Sequence, residues 1–245
     1  MRINQLVDAV YVLSVRSFDD RIAHVRREMA RHGIEFEFVF EFDPDAIPDD
    51  LIGRVFAPSD MKRGHQSLVL KHVETWRRCL QDGFSRVLVF EDDVVLSRAF
   101  ADGLAGALEE ADRLSGPYLI YLGRGDNRYV GAGPGHSALV PGGVLPATDA
   151  LLFNRAAAQR RVDWIDAHQV ARPADWLMRE MDAAIGVPHY WLRDPIVEQG
   201  SMCGMFDSVL DEKRESRSRL LVKLRYRWEK WWKQLRLQLK RGASQ

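Results

Sequence analysis

Residues 86–96, Arg-Val-Leu-Val-Phe-Glu-Asp-Asp-Val-Val-Leu, join a short apolar run to three consecutive carboxylates. The run from Arg86 to Phe90 reads as a strand of the kind that is apolar on both faces and is covered by helices on each side. It leads straight into Glu91-Asp92-Asp93, after which Val94-Val95-Leu96 continues apolar before a helix expected from about Arg98 to Leu114. Open α/β sheets place their ligands in the crevice beyond the carboxyl ends of the strands. Position therefore makes the acidic triplet a candidate site. Side chains alternate along an extended segment, so Glu91 and Asp93 point one way and Asp92 the other unless the turn bends them together. Hard cations such as Mg²⁺ and Mn²⁺ take oxygen ligands, commonly one or two protein carboxylates plus substrate phosphates. A diphosphate-bearing ligand fits that arrangement. The competing reading is a solvated acidic turn that caps the following helix, and the apolar segments on both sides weigh against it.

Outward from this stretch, strands alternate with helices. Val10 to Val15 reads as a buried strand, followed by a helix that starts at Asp19-Asp20 and stops at Gly33. Phe36 to Phe42 alternates apolar and acidic residues as a second strand, and Pro44, Pro48 and Pro58 mark an irregular stretch. Apolar residues at 69, 70, 73, 76 and 80 predict an amphipathic helix from Ser67 to Leu80, ended by Asp82-Gly83. Beyond the triplet come a strand at Tyr118 to Leu122, a glycine-rich loop from Gly123 to Gly143, a strand at Thr148 to Phe153, and helices at Arg155 to His168 and Pro173 to Ile185. This order predicts an α/β fold with a largely parallel sheet.

At 245 residues, 46% hydrophobic and 29% charged, the chain holds enough apolar material for one large domain plus an appendage. We place the domain at residues 1–210 and a basic tail at 211–245. The formal net charge is zero, so no long-range attraction to nucleic acid is expected. That average hides twelve Lys or Arg against Glu215 and Glu229 between Lys213 and Arg241. Cys79 and Cys203 are too few for a disulfide scaffold and lack zinc-site spacing, which favours a reducing compartment. No signal peptide and no eighteen-residue apolar run is evident, so a cytoplasmic location is expected.

Several segments taken in order carry a family resemblance. They are Val10-Tyr11-Val12-Leu13 through Arg21, His72 and Trp76 before Gly83, Val87 to Val94, Tyr121-Leu122-Gly123, Thr148 to Phe153 with Ala156-Ala157, Pro173-Ala174-Asp175-Trp176, and Pro195-Ile196-Val197-Glu198-Gln199. Across roughly residues 8–205 the chain resembles glycosyltransferase family 25, the lipopolysaccharide and lipooligosaccharide galactosyltransferase group that also includes collagen-type galactosyltransferases. It departs from the family pattern at Ser67-Leu68 and Lys71-His72, and at Ser14-Val15-Arg16. The resemblance implies a GT-A fold, a Rossmann-like domain with a mostly parallel central sheet flanked by helices. It also implies a UDP-sugar donor, galactose as the transferred hexose, a divalent cation (Mn²⁺ or Mg²⁺), and inversion at the anomeric carbon.

Within that frame Asp93, with Asp92 or Glu91, is the expected metal ligand, and Asp175 the expected base. Arg21, His72, Glu91, Asp92 and Gln199 are expected to contact the donor. Three of these have a plainer alternative: Asp175 as a helix cap after Pro173, His72 as a histidine satisfied on a partly buried helix, and Arg21 as a solvated arginine. A metal-dependent nucleotide hydrolase and a non-catalytic membrane scaffold with the same fold are the competing functions.

The tail adds a partner. Leu221, Leu224, Trp228, Trp231 or Trp232, Leu235 and Leu239 lie three or four apart, with Lys and Arg between them. Residues 219–241 therefore read as an interfacial helix for an anionic membrane surface. That reading suits a saccharide or lipid-linked acceptor and a peripheral location at the bacterial inner membrane.

Overall fold

The computed structural model describes residues 2–123, 137–142 and 147–206, together with Leu224, Tyr226, Trp228, Glu229, Trp231, Trp232 and Leu235 of a C-terminal helix. Its strands are β1 (Ala9–Leu13), β2 (Glu37–Val39), β3 (Arg86–Glu91), β4 (Val94–Leu96), β5 (Leu119–Tyr121), β6 (Leu139–Pro141), β7 (Ala150–Asn154), β8 (His189–Leu192) and β9 (Val197–Gln199). Its helices are α1 (Asp19–His32), α2 (Asp49–Val55), α3 (Arg63–Gln81), α4 (Phe100–Ala111), α5 (Arg155–Ala167) and α6 (Ala174–Ile185).

Seven strands form one sheet in the order β2-β1-β3-β7-β5-β8-β6. The pairings give β1, β2, β3, β5 and β8 one direction and β6 and β7 the other. The result is the α/β architecture the sequence predicts, a mostly parallel sheet between helices. Strand β3 is central and its core-facing residues alternate: Val87 and Val89 pack with α3, α5 and α6, while Leu88 and Phe90 pack with α1 and α4. Apolar layers on both sides of the sheet explain the unbroken apolar run.

Local differences from the expected elements have identifiable causes. Strand β2 ends at Val39 because the chain turns at Phe42, whose φ of 62° lies in the left-handed region. Buried Lys71 of α3 holds that turn by donating to the carbonyls of Val39 and Glu41 and to Asp43 Oδ1. Val94–Leu96 leaves the main sheet and pairs antiparallel with β9 in a two-stranded sheet of its own. Of the expected glycine-rich loop, residues 124–136 lie outside the described residues, while Leu139–Pro141 forms an edge strand against β8. Helix α1 stops at Gly33, which takes the left-handed C-cap conformation that glycine adopts without strain. The described residues between Leu224 and Leu235 are helical, within the predicted tail helix.

Candidate active site

Strand β3 delivers the acidic triplet to its carboxyl end, and the antiparallel strand β7 brings a fourth carboxylate to the same place. Phe90 pairs with Ala150, and the Glu91 amide donates to the Asp149 carbonyl at 2.9 Å. Asp149 therefore starts β7 beside the point where β3 ends. Thr148, one residue earlier, places its Oγ1 2.6 Å from Glu91 Oε1 and 3.0 Å from Asp175 Oδ1 at the start of α6. Glu91, Asp93, Asp149 and Asp175 thus form one acidic group, built from β3 and its turn, β7 and α6.

Burial and mutual repulsion set the charge of this group. Burial, then the charges of Asp93 and Asp175, raise Glu91 well above the usual carboxylate range. Burial, then Asp93, push Asp149 up to about 7. Burial also raises Asp175, against the opposing effects of Thr148 and His65. A hydroxyl has one proton to give, so Thr148 cannot donate to both Glu91 and Asp175. Thr148 therefore serves one of the two carboxylates at a time and links them through a single hydroxyl.

Asp92 faces the other way, as strand alternation predicts. Its Oδ1 accepts from Arg21 at 2.7 Å and its Oδ2 from the Ser14 hydroxyl at 2.8 Å. The Arg21 guanidinium also lies 5.5 Å from the ring centres of both Phe18 and Phe206. Burial raises Asp92 despite the Arg21 charge. Both of its oxygens are committed to the protein, so Asp92 and Arg21 brace the turn from behind.

Asp93 is clamped by the segment after β9. Its carbonyl accepts from the Gly200 amide at 2.5 Å, and its Oδ2 from the Ser201 amide at 3.0 Å. A Cβ on Gly200 would stand 2.6 Å from the Asp93 carbonyl oxygen and 2.9 Å from Phe206, so only glycine lets the two segments approach this closely. Gln199 pairs with Val94 across β4–β9 and so belongs to the same clamp. A Cβ on Gly123 would come within 2.0 Å of Asp149 Oδ2.

His72 comes from α3. It is 1% exposed within α3, both ring nitrogens lack a hydrogen-bond partner, and burial followed by the Arg161 charge pushes it down to about 3. Burial thus favours the neutral imidazole.

Among the described residues no set of three or more His, Cys, Asp or Glu side chains is grouped as a complete metal cage. The fit to a divalent cation rests on two orphaned oxygens. Asp93 Oδ1 and Asp149 Oδ2 are buried and accept no hydrogen bond, and an unpaired buried carboxylate oxygen is costly unless something cationic meets it. Two carboxylates, with phosphate oxygens completing the shell, match the way Mg²⁺ is usually held. Sequence reasoning missed Asp149, Thr148 and His65. The only local signal was a Thr-Asp pair ahead of an apolar strand.

Residues 7–130 match the model of glycosyltransferase family 25, described as a lipopolysaccharide biosynthesis protein family. The chain is 28% identical over 116 residues to the lipooligosaccharide biosynthesis protein lic2B of Haemophilus influenzae, an alignment covering 45% of this chain and 43% of that protein. It is 28% identical over 99 residues to the lacto-N-neotetraose biosynthesis glycosyltransferase LgtB of Neisseria meningitidis serogroup B, covering 39% and 36%. It is 41% identical over 66 residues to the human inactive glycosyltransferase 25 family member 3, covering 26% and 11%. The chain therefore spans less than half the length of each of these relatives.

Proposed function

This chain belongs to glycosyltransferase family 25, and from that premise we propose that it transfers a hexose, galactose in our reading, from a UDP-sugar to a saccharide or glycolipid acceptor in lipopolysaccharide or surface-polysaccharide assembly. The observation that carries the proposal is the convergence of Glu91, Asp93, Asp149 and Asp175 at the end of β3, with two buried carboxylate oxygens unpartnered. Asp93 and Asp149 would hold a divalent cation, which when bound supplies Lewis-acid stabilisation of the departing nucleoside diphosphate. Asp92, Arg21, Gly200 and Ser201 hold Asp93 in place. Asp175 takes the proton of the acceptor hydroxyl. Its raised pKa makes it a stronger base than an exposed aspartate, and Thr148 fixes the orientation of its carboxylate. A single base suits one in-line displacement with inversion.

Asp175→Asn is the direct test. Transfer from UDP-galactose should fall by about a hundredfold or more, while UDP-galactose binding, measured by calorimetry, stays within about threefold. Unchanged turnover in this variant moves the base elsewhere. Absence of donor binding in the wild type favours the non-catalytic scaffold.

We assign the C-terminal helix to the membrane surface. Leu224, Trp228, Trp231 and Trp232 are exposed, and the three tryptophans form an edge-to-face cluster. Apolar side chains left in water amid a strongly basic sequence suit the boundary of an anionic bilayer. Among the described residues no helix is long and apolar enough to cross one. Vesicles of phosphatidylglycerol should therefore co-float the full chain but not a chain lacking residues 214–245, and phosphatidylcholine vesicles should bind both weakly. Equal flotation of the two chains on phosphatidylglycerol removes this assignment.

A further inference from the structure

Trp176 is the only exposed aromatic side chain among the described residues of 2–206, at 45% exposure. The other tryptophans in that span are buried or half-buried. An indole left largely in water stands out against the chain's otherwise well-buried aromatics.

Its position gives the exposure meaning. In α6 the residues Ala174, Leu177, Met178, Met181 and Asp182 are buried and mark the face turned to the core. With about 100° between successive residues, Asp175 stands at the edge of that buried arc and Trp176 about 100° further round, near the middle of the solvent face, with Arg179 between them. The proposed base and the indole are thus consecutive residues of the first helical turn, one at the border of the buried face and the other on the solvent face. Side chains in a first helical turn lean toward the amino terminus, which is the end where Asp175 meets Thr148. The Arg179 guanidinium lies 5.5 Å from the centre of the Trp176 ring and steadies it from one side.

We propose that Trp176 is the platform on which the acceptor sugar stacks, the apolar C–H face of its pyranose ring lying against the indole while its reacting hydroxyl reaches Asp175. The inference rests on the glycosyl-transfer reading of the site. The chemistry follows from the two surfaces. A pyranose presents a patch of weakly positive C–H groups on one face, and the indole presents a broad, electron-rich, apolar face. Stacking fixes the plane of the sugar, and hydrogen bonds from neighbouring groups then need only select which hydroxyl is offered to the base. The ring interaction of Trp176 is with Arg179, and on this reading its influence falls on the acceptor.

The test uses the full chain with UDP-galactose, Mn²⁺ and the p-nitrophenyl β-glycosides of glucose, galactose and N-acetylglucosamine as probes. With the best of these glycosides, Trp176→Ala should raise the acceptor KM by about tenfold, leaving kcat, the donor KM and hydrolysis of UDP-galactose in the absence of acceptor within about threefold. Trp176→Phe should recover most of the loss. Saturation-transfer NMR gives a readout free of turnover: the ring C–H signals of the bound glycoside should be strong with the wild type, weak with Trp176→Ala and restored with Trp176→Phe. An unchanged acceptor KM and an unchanged NMR signal in Trp176→Ala overturn the proposal, as does binding of none of the glycosides by a wild type that hydrolyses UDP-galactose. A wild type that neither binds nor hydrolyses UDP-galactose overturns the glycosyl-transfer reading instead.

Discussion

Asp93→Asn should reduce transfer by about a thousandfold or more while melting no lower than the wild type. Asparagine keeps an oxygen to accept the Ser201 amide and leaves the Gly200 contact to the backbone untouched, so the clamp survives. What it removes is a charge buried beside Glu91 and Asp149, both of which Asp93 helps to push upward. Relieving that repulsion stabilises the fold, and the site loses the oxygen best placed to meet a cation. Loss of activity with retained or raised stability is the pattern of residues strained for function. Steady-state turnover of UDP-galactose together with a thermal melt in chelator reads both quantities. Full activity in Asp93→Asn rejects Asp93 as the metal ligand, and a collapse of stability assigns it a structural role.

The second large effect lies in the core. Asp182→Asn should destabilise the chain by about 3–5 kcal/mol. Arg161 is 0% exposed and donates through Nε and Nη2 to the two oxygens of Asp182 at 2.9 and 2.5 Å. His189 Nε2 lies 2.6 Å from the same carboxylate, and Trp76 and Phe153 flank the guanidinium. Removing the counter-charge leaves a buried cation that cannot reach water, whereas replacing both partners, as in Arg161→Met with Asp182→Leu, should restore most of the stability. The pH dependence has a definite sign. Burial raises the Asp182 carboxyl, but Arg161 and His189 outweigh it and leave the net value below 3.8. Its contribution is therefore complete above about pH 3.8 and is lost as the pH falls through the lower folded value. The gap between wild type and Asp182→Asn, measured by urea denaturation, should be constant above about pH 5 and narrow below about 3.8. A loss of less than about 1 kcal/mol at pH 7 would mean that the ion pair is solvated.

Much of this molecule is legible locally. Val87 to Phe90 has no polar residue to offer water, so it must lie in a sheet covered on both faces, and it does. Gly33, with its left-handed φ, stops α1 where the pattern predicts. The triplet follows β3 directly, so its place at a strand end can be read without any contact being known. Periodicity and turn chemistry act over a few residues, and the sequence displays them.

The site was only half visible. Asp149 is 56 residues from Asp93 in the chain and reaches it because β7 runs antiparallel beside β3, a direction that no local pattern encodes. Alternation separates Asp92 from Asp93 in direction but not in partners: Arg21 and Ser14 consume both oxygens of Asp92 while Asp93 keeps one unpaired. That His72 is buried in α3 with neither ring nitrogen hydrogen-bonded is likewise a fact of packing that the chain order does not display. The amino-acid order thus determined the alternation of strands and helices and the position of the acidic turn, because those follow from short-range patterns of polarity. Tertiary structure decided which carboxylates are spent on internal partners and which retain a free lone pair, because hydrogen bonding and desolvation act through space between segments that the chain order leaves far apart.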